Sequence, residues 1–318
     1  MLNAIFQFIA ATDPSVEKTL SGPLLPNTSV IFDLEDSLQN IFSPKETPHL
    51  KANGRRNILD QLQSPVSELK NKNLGVRINS FRSREFENDI RSLSEANKKI
   101  NWKYIFLPKT EYKNDIEFYL KRFHEHSISF DELIPIIETV KGLDNIKNIF
   151  SDPPEKHFNK AILGHHDYNL DAGNWPFYDQ RSKEYWTLTK RFIKHLENNG
   201  YGYINGPVLK INDDTFLKNI VSATKMLCTR SFSQATISFR QVKTLTTLHT
   251  IAPIPYSSIV ATSKLKRSDK TQMAKKVIGE FKKYQLKGKG FSVDTTRQLF
   301  ISPQQYMAAI NYLKKAND

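Results

Sequence analysis

Eight short apolar runs recur along the chain with helix-like segments between them, and this alternation restricts the fold more than any other feature. The runs are Ile5–Ala10, Ser29–Phe32, Leu74–Ile78, Tyr104–Leu107, Leu133–Ile137, Ala161–Leu163, Tyr201–Ile204 and Ala235–Phe239. Each has strand length, and most are continuously apolar or β-branched, as strands buried on both faces must be. Polar segments with helical spacing lie between them at Lys51–Gln63, Arg84–Lys98, Asn114–His126, Ser182–Asn198 and Asp214–Leu227. Ser83 is placed to cap the second of these helices and Gly200 to end the fourth. Strand and helix in alternation predict a parallel sheet with right-handed crossovers, and eight such strands predict a closed TIM barrel.

At 318 residues the chain suits one barrel with an appendage better than two equal domains. We expect the barrel over 1–245 and a linker with a helical extension over 246–318. In that extension Ile251-Ala-Pro-Ile-Pro-Tyr reads as linker, followed by a basic helix near Asp269–Gln285, a Gly-rich turn at Lys287-Gly-Lys-Gly and a last helix from Pro303. A hydrophobic fraction of 39% with 20 Phe excludes a disordered chain. A single cysteine, Cys228, excludes an intramolecular disulfide framework and a multi-cysteine zinc site, and it reads as inert core. No run approaches the roughly 18 apolar residues of a membrane span, and the apolar start reads as a first strand, so the expected location is cytoplasmic.

The net charge of +13 is uneven, with about 14 basic and 4 acidic residues from Lys243 onward. Such a segment either attracts phosphates or is a solvated lysine-rich helix. No sequence-specific nucleic-acid motif accompanies it, so nucleic acid is not the expected partner.

Polar residues follow the apolar runs in a regular order. The second ends in Asp33-Leu-Glu35-Asp36, the third in Arg77-Ile-Asn79 and the fourth in Pro108-Lys109. The fifth ends in Glu138-Thr139 and the sixth in Gly164-His165-His166-Asp167. In a TIM barrel these ends converge on one mouth, where catalytic groups from several strands meet. Glu138 and Asp167 suit a hard cation such as magnesium, which takes oxygen ligands and keeps only one or two protein carboxylates. His165 and His166 could instead recruit a softer metal. The planar fork of Arg77 matches a carboxylate. Beside a metal, the fitting ligand is a 2-oxo or 2-hydroxy acid, and the metal would stabilise negative charge on oxygen during carbon–carbon cleavage or condensation. Lys109 reads as catalytic or as a structural partner of an acid, and His166 as a general base or as scaffolding. Asp33, Glu35 and Asp36 divide their roles, one bracing Arg77 or a metal-bound water and the others holding the barrel rim.

The runs Val30-Ile-Phe-Asp-Leu-Glu-Asp-Ser, Val76-Arg-Ile-Asn, Leu107-Pro-Lys, Ile136-Ile-Glu-Thr and Leu163-Gly-His-His-Asp resemble the ordered motifs of citrate lyase beta-subunit-like proteins. These belong to the HpcH/HpaI aldolase/citrate lyase family, and the resemblance spans roughly 1–245 in order. It implies a TIM barrel, magnesium on Glu138 and Asp167, and Arg77 on the substrate carboxylate. It also implies a homo-oligomer, commonly a trimer or hexamer, and for many members a coenzyme A thioester substrate. Gly164, His165 and Asp171 fall at substrate-binding positions, and the loop Asn169-Leu-Asp-Ala-Gly173 resembles the family's segment after the metal aspartate.

Two departures stand out. Ser238-Phe-Arg-Gln241 replaces the family's His-Pro-x-Gln turn, and Phe300-Ile-Ser-Pro303 replaces an Ile-Asp-x-Pro segment whose aspartate acts as acid/base from a neighbouring subunit in thioester-using relatives. The chain is thus similar to a divergent branch, such as the lyase-like proteins encoded with tellurite-resistance and stress clusters. The expected function is a magnesium-dependent carbon–carbon lyase or its reverse. The alternatives are a coenzyme A-independent pyruvate/oxaloacetate-type aldolase and a catalytically weak barrel serving as a scaffold.

Overall fold

The computed structural model describes residues 2–62, 72–153, 155, 157–261, 266–284, 292–294 and 299–317. Eight parallel strands close into a barrel in sequence order. They are β1 (Leu2–Ala10), β2 (Thr28–Asp33), β3 (Leu74–Arg77), β4 (Trp102–Leu107), β5 (Phe130–Ile137), β6 (Lys160–Leu163), β7 (Gly202–Asn205) and β8 (Phe232–Thr236). β8 returns to β1 with Phe6 opposite Ala235 and Gln7 opposite Thr236, which closes the ring.

Around the ring lie α1 (Ser15–Ser21), α2 (Thr47–Gln61), α3 (Phe86–Asn97), α4 (Lys113–Glu125), α5 (Val140–Asp144) and α6 (Ile146–Ile149). They continue with α7 (His165–Asp171), α8 (Lys183–Asn198), α9 (Asp214–Leu227) and α10 (Phe239–Thr246). Beyond the barrel come α11 (Arg267–Tyr284), a hairpin of β9 (Ser292–Asp294) and β10 (Leu299–Ile301), and α12 (Pro303–Asn317). The glycine-rich turn expected at Lys287–Gly290 lies outside the described residues.

Both faces of the strands are buried, which is why they read as continuous apolar runs. Val30, Ile31 and Phe32 of β2 are wholly buried although their side chains alternate between faces. Phe6, Ile31, Tyr104, Phe106, Ile134, Ile136, Ile162 and Ile204 fill the inside of the barrel. Val30, Phe32, Leu74, Val76, Ile105 and Leu107 face outward and pack under the surrounding helices.

This period of two positions the mouth. Stepping two residues from the inward Ile31 reaches Asp33, and from inward Ile136 it reaches Glu138. The same step from Ile162 reaches Gly164. Gly75 lies two residues before Arg77; a Cβ there would come within 2.7 Å of Ile31 Cδ1 and 2.8 Å of the Tyr104 carbonyl oxygen. The backbone of β3 thus runs too close to its neighbours for any larger residue.

Three local expectations differ from the structure. The eighth strand lies at Phe232–Thr236, three residues earlier than Ala235–Phe239. Its Gln234 breaks the apolar pattern, yet it is buried because it accepts from Asn205 Nδ2 at 2.7 Å and donates to the Gly206 carbonyl at 2.8 Å. Ser83 does not cap α3. Its hydroxyl accepts the Glu85 amide at 3.2 Å in the turn before a helix that starts at Phe86. Asp171 faces outward and accepts the Val140 amide at 2.8 Å, on the rim rather than in the cavity.

The helix stop expected at Gly200 is present. Gly200 has φ +84°, and the Tyr201 amide reaches back to the Leu196 carbonyl at 2.8 Å to end α8. Gly173, with φ +67°, follows the end of α7 in the same left-handed region. Among the described residues no helix is long and apolar enough to cross a membrane.

Candidate active site

Among the described residues the C-terminal mouth brings Asp33, Glu35, Asp36, Glu138 and Asp167 together with Arg77 and Lys109, and Asp13 also lines its cavity. Arg77 donates from Nε to Asp33 Oδ1 at 2.8 Å and from Nη2 to Asp33 Oδ2 at 2.6 Å, a two-point fork. Its Nη1 donates to Asp36 Oδ2 at 3.1 Å. Glu35 Oε2 also lies 3.1 Å from Nη1, yet it is buried without an aligned hydrogen bond. The roles of the three acids after β2 thus separate: Asp33 and Asp36 hold the guanidinium, while Glu35 turns toward Lys109, whose Nζ is 3.3 Å from Glu35 Oε1.

Behind β3 a second network fixes the strand end. Asp89 is fully buried and accepts from the Asn79 amide at 2.7 Å, Asn79 Nδ2 at 2.8 Å and Arg55 Nη1 at 2.8 Å. Lys51 donates to Asn79 Oδ1, and Arg55 also reaches Glu85 at 2.7 Å.

Glu138 is 2% exposed, and one oxygen accepts the Lys109 amide at 2.9 Å. Lys109 presents that amide from the left-handed region, at φ +51°. The other oxygen, Oε2, would lie 2.5 Å from a Cβ at Gly164, so glycine is the residue that leaves this carboxylate its space. Asp167, in the first turn of α7, has Oδ1 3.6 Å from Lys109 Nζ and accepts Gln304 Nε2 on Oδ2 at 2.9 Å.

The electrostatics follow from burial and crowding. Burial, then Asp167 and Glu35, push the Glu138 carboxyl well above its ordinary range. Burial and the Asp36 charge push Asp167 up to about 8. Burial and Asp36 also raise Glu35. Asp33 goes the other way: burial opposes its charge, but the Arg77 charge and fork outweigh it and hold the carboxyl below its usual value. Glu35, Asp36 and Asp167 keep Lys109 protonated against its own desolvation. Among the described residues, Arg77 and Lys109 are the cations that pair with Asp33, Glu35, Asp36 and Asp167, so the cluster carries more acids than paired cations.

His165 and His166 stand side by side, ring centroids 4.5 Å apart. His165 packs edge-on against Tyr185, and burial holds it down to about 4. His166 Nδ1 is 2.7 Å from Ser302 Oγ, and burial, then His165, keeps it neutral. Ser302 and Gln304 thus bring the C-terminal segment onto the mouth of its own barrel. Sequence reading missed their contacts with residues about 136 positions away, although it had singled out Phe300–Pro303 as unlike the family pattern.

These groups border a cavity of about 320 Å³ lined by Phe8, Asp33, Asp36, Arg77, Glu138, Gly164, His165, His166, Asp167, Phe300 and Gln304, among others. Glu35 and Lys109 line a neighbouring polar cavity of similar size, with Lys51, Asn79 and Arg82.

The donor set fits a magnesium ion. Two carboxylates meet at adjacent strand ends in a site short of positive charge, and magnesium needs no more protein ligands than that. Among the described residues no group of three or more His, Cys, Asp or Glu is placed to hold a metal, so the two histidines do not complete a zinc-type site.

A closed eight-stranded barrel with acids, an arginine and a lysine at the C-terminal strand ends has the layout of a barrel enzyme whose site is built at that face. The chain belongs to the HpcH/HpaI aldolase/citrate lyase family, whose model matches residues 7–224, and is a carbon–carbon lyase of that kind. No curated protein matches it by sequence.

Solved structures share the fold. RipC from Yersinia pestis is 22% identical, covering 78% of this chain and 95% of that one, with a TM-score of 0.56. Haloferax volcanii malate synthase, in a pyruvate/acetyl-CoA ternary complex, is 14% identical over 99% of this chain and 90% of that one, with a TM-score of 0.67. The citrate lyase beta subunit from M. tuberculosis, complexed with oxaloacetate and magnesium, is 16% identical over 77% of this chain and 96% of that one, with a TM-score of 0.54.

Proposed function

We propose that the protein cleaves or forms a carbon–carbon bond next to the carboxylate of a 2-oxo or 2-hydroxy acid, with magnesium held by Glu138 and Asp167. The observation that carries this reading is the buried, cation-poor pair Glu138 and Asp167 beside the clamped guanidinium of Arg77. The metal, when bound, supplies a positive charge against which negative charge on a substrate oxygen can develop.

The chain's own residues do the rest. Of the five N–H groups of Arg77, Asp33 takes those on Nε and one Nη2, and Asp36 takes one on Nη1. One N–H remains on each terminal nitrogen for a substrate carboxylate, with Glu35 Oε2 3.1 Å from Nη1. Lys109 neutralises Glu35 and Asp167 while its amide orients Glu138. Glu35, whose Oε2 makes no aligned hydrogen bond and whose carboxyl is raised, can accept a proton from the side of the neighbouring cavity. His166, neutral and tied to Ser302, orients the C-terminal segment over the mouth.

A substrate free of coenzyme A is favoured over a thioester. Phe300–Gln304 stands at the mouth of its own barrel without a carboxylate, whereas the resemblance implies an aspartate supplied by a neighbouring subunit in thioester-using relatives. The family resemblance and the free, buried Cys228 support an oligomeric protein in a reducing, cytoplasmic setting.

Thermal unfolding with magnesium tests the reading, comparing pyruvate, oxaloacetate and acetyl-coenzyme A on parent and Asp167→Ala proteins. A ligand at about 100 times its dissociation constant adds roughly 2.7 kcal/mol. The expected result is a magnesium-dependent rise with an oxo acid that is lost in the variant. Equal oxo-acid binding by both proteins would reject the assignment.

A further inference from the structure

The cavity carries information on the substrate beyond its chelating end, and this deepens the function proposed above and rests on it. Among the described residues lining the cavity, Arg77 is the only lysine or arginine, and Asp33, Glu35 and Asp36 already surround it. Lys109 lines the neighbouring cavity instead. Among the described residues that line the cavity, a second carboxylate on the substrate would meet no cationic side chain but Arg77.

Beyond the charged cluster much of the lining is apolar, although Asp13 and Ser15 also border the cavity. The apolar wall is made by Phe8, Leu209, Ile211, Ile237, Phe239 and Phe300, all partly exposed, so the cavity offers them open apolar surface. Phe8 extends along β1, Leu209 and Ile211 follow β7, and Ile237 follows β8. Phe300 arrives with the C-terminal segment, which the Ser302–His166 and Gln304–Asp167 contacts pin across the mouth. A cavity of about 320 Å³ closed this way by its own chain suits a compact acid.

We infer that the substrate is a 2-oxo or 2-hydroxy monocarboxylic acid with an apolar tail, branched aliphatic or aromatic, its carboxylate on Arg77 and its tail on this wall. Each methylene transferred from water to such a wall tightens binding about fourfold. 4-Methyl-2-oxopentanoate carries three more carbons than pyruvate and should bind about 60-fold tighter. Oxaloacetate, which must desolvate its second carboxylate against the wall, should bind more weakly than pyruvate.

Isothermal titration of the full chain with magnesium and these three acids tests the inference, together with an Ile211→Arg variant that places a cation on the wall. A gain of tenfold or more for 4-methyl-2-oxopentanoate over pyruvate, with the variant shifting preference toward oxaloacetate, is the expected outcome. Pyruvate or oxaloacetate binding as tightly as the branched acid would overturn the inference and leave the proposed function standing. If none of the three binds with magnesium, the function proposed above falls, and the inference with it.

Discussion

Replacing Gly164 with alanine puts the geometry of the mouth to a quantitative test. The new Cβ would lie 2.5 Å from Glu138 Oε2, 2.6 Å from Glu138 Cβ and 3.0 Å from Ile136 Cγ2, against about 3.5–4.0 Å for relaxed contacts. The backbone at 164 has little room to retreat. Its amide donates to the Ile137 carbonyl at 3.0 Å, and its carbonyl accepts the Tyr168 amide at 3.1 Å. Glu138 must therefore give way, and its 2.9 Å bond from the Lys109 amide is lost or stretched.

Overpacking costs about 1–3 kcal/mol and a charge-assisted hydrogen bond about 1.5–3, so the variant should lose roughly 2.5–6 kcal/mol. For a chain of this length that is a Tm lower by about 5–12 °C, at about 2 °C per kcal/mol. Differential scanning calorimetry, with and without magnesium, reads both the loss and any weakening of metal stabilisation. An alanine variant melting within 1 °C of the parent, with metal stabilisation intact, would refute the claim that Gly164 exists to seat Glu138.

Other outcomes follow from neighbouring contacts. Asp89→Ala should cost about 3 kcal/mol in urea unfolding, because it strips three buried donors of their acceptor while Arg55 keeps only Glu85; a loss below 1 kcal/mol would show that water replaces the carboxylate. Asp33 is held below its ordinary value, so its contribution to stability is complete above the unfolded value of about 3.9 and is lost as pH falls through the lower folded value. Asp33→Asn should therefore flatten the acid limb of stability below about pH 4, and an unchanged slope would contradict the pairing. Cys228 is buried and its thiol is pushed up to about 12, so a disulfide reagent at pH 8 should modify it only after denaturant is added. Fast modification of the native protein would place that thiol elsewhere.

Much of the barrel was legible because burial on both faces leaves a strong local mark. Ile31, Val76, Phe106, Ile134 and Ile162 must be apolar wherever their strands sit in the ring, and the charged residues that end those strands cannot continue them. The order of Asp33, Arg77, Lys109, Glu138 and Asp167 could likewise be read, since a parallel barrel sends every C-terminal strand end to one mouth. β8 was misplaced because Gln234 looks like surface until Asn205 and Gly206 are brought beside it.

Tertiary structure alone decided which acid does what. Asp33 and Asp36 clamp Arg77, Glu35 pairs with Lys109, and Asp171 is left on the rim, yet nothing in a string of carboxylates distinguishes them. It alone also placed Ser302 and Gln304 on His166 and Asp167. Local sequence records whether a side chain must avoid water; which partner satisfies its charge depends on distances between segments far apart in the chain, and only folding sets those.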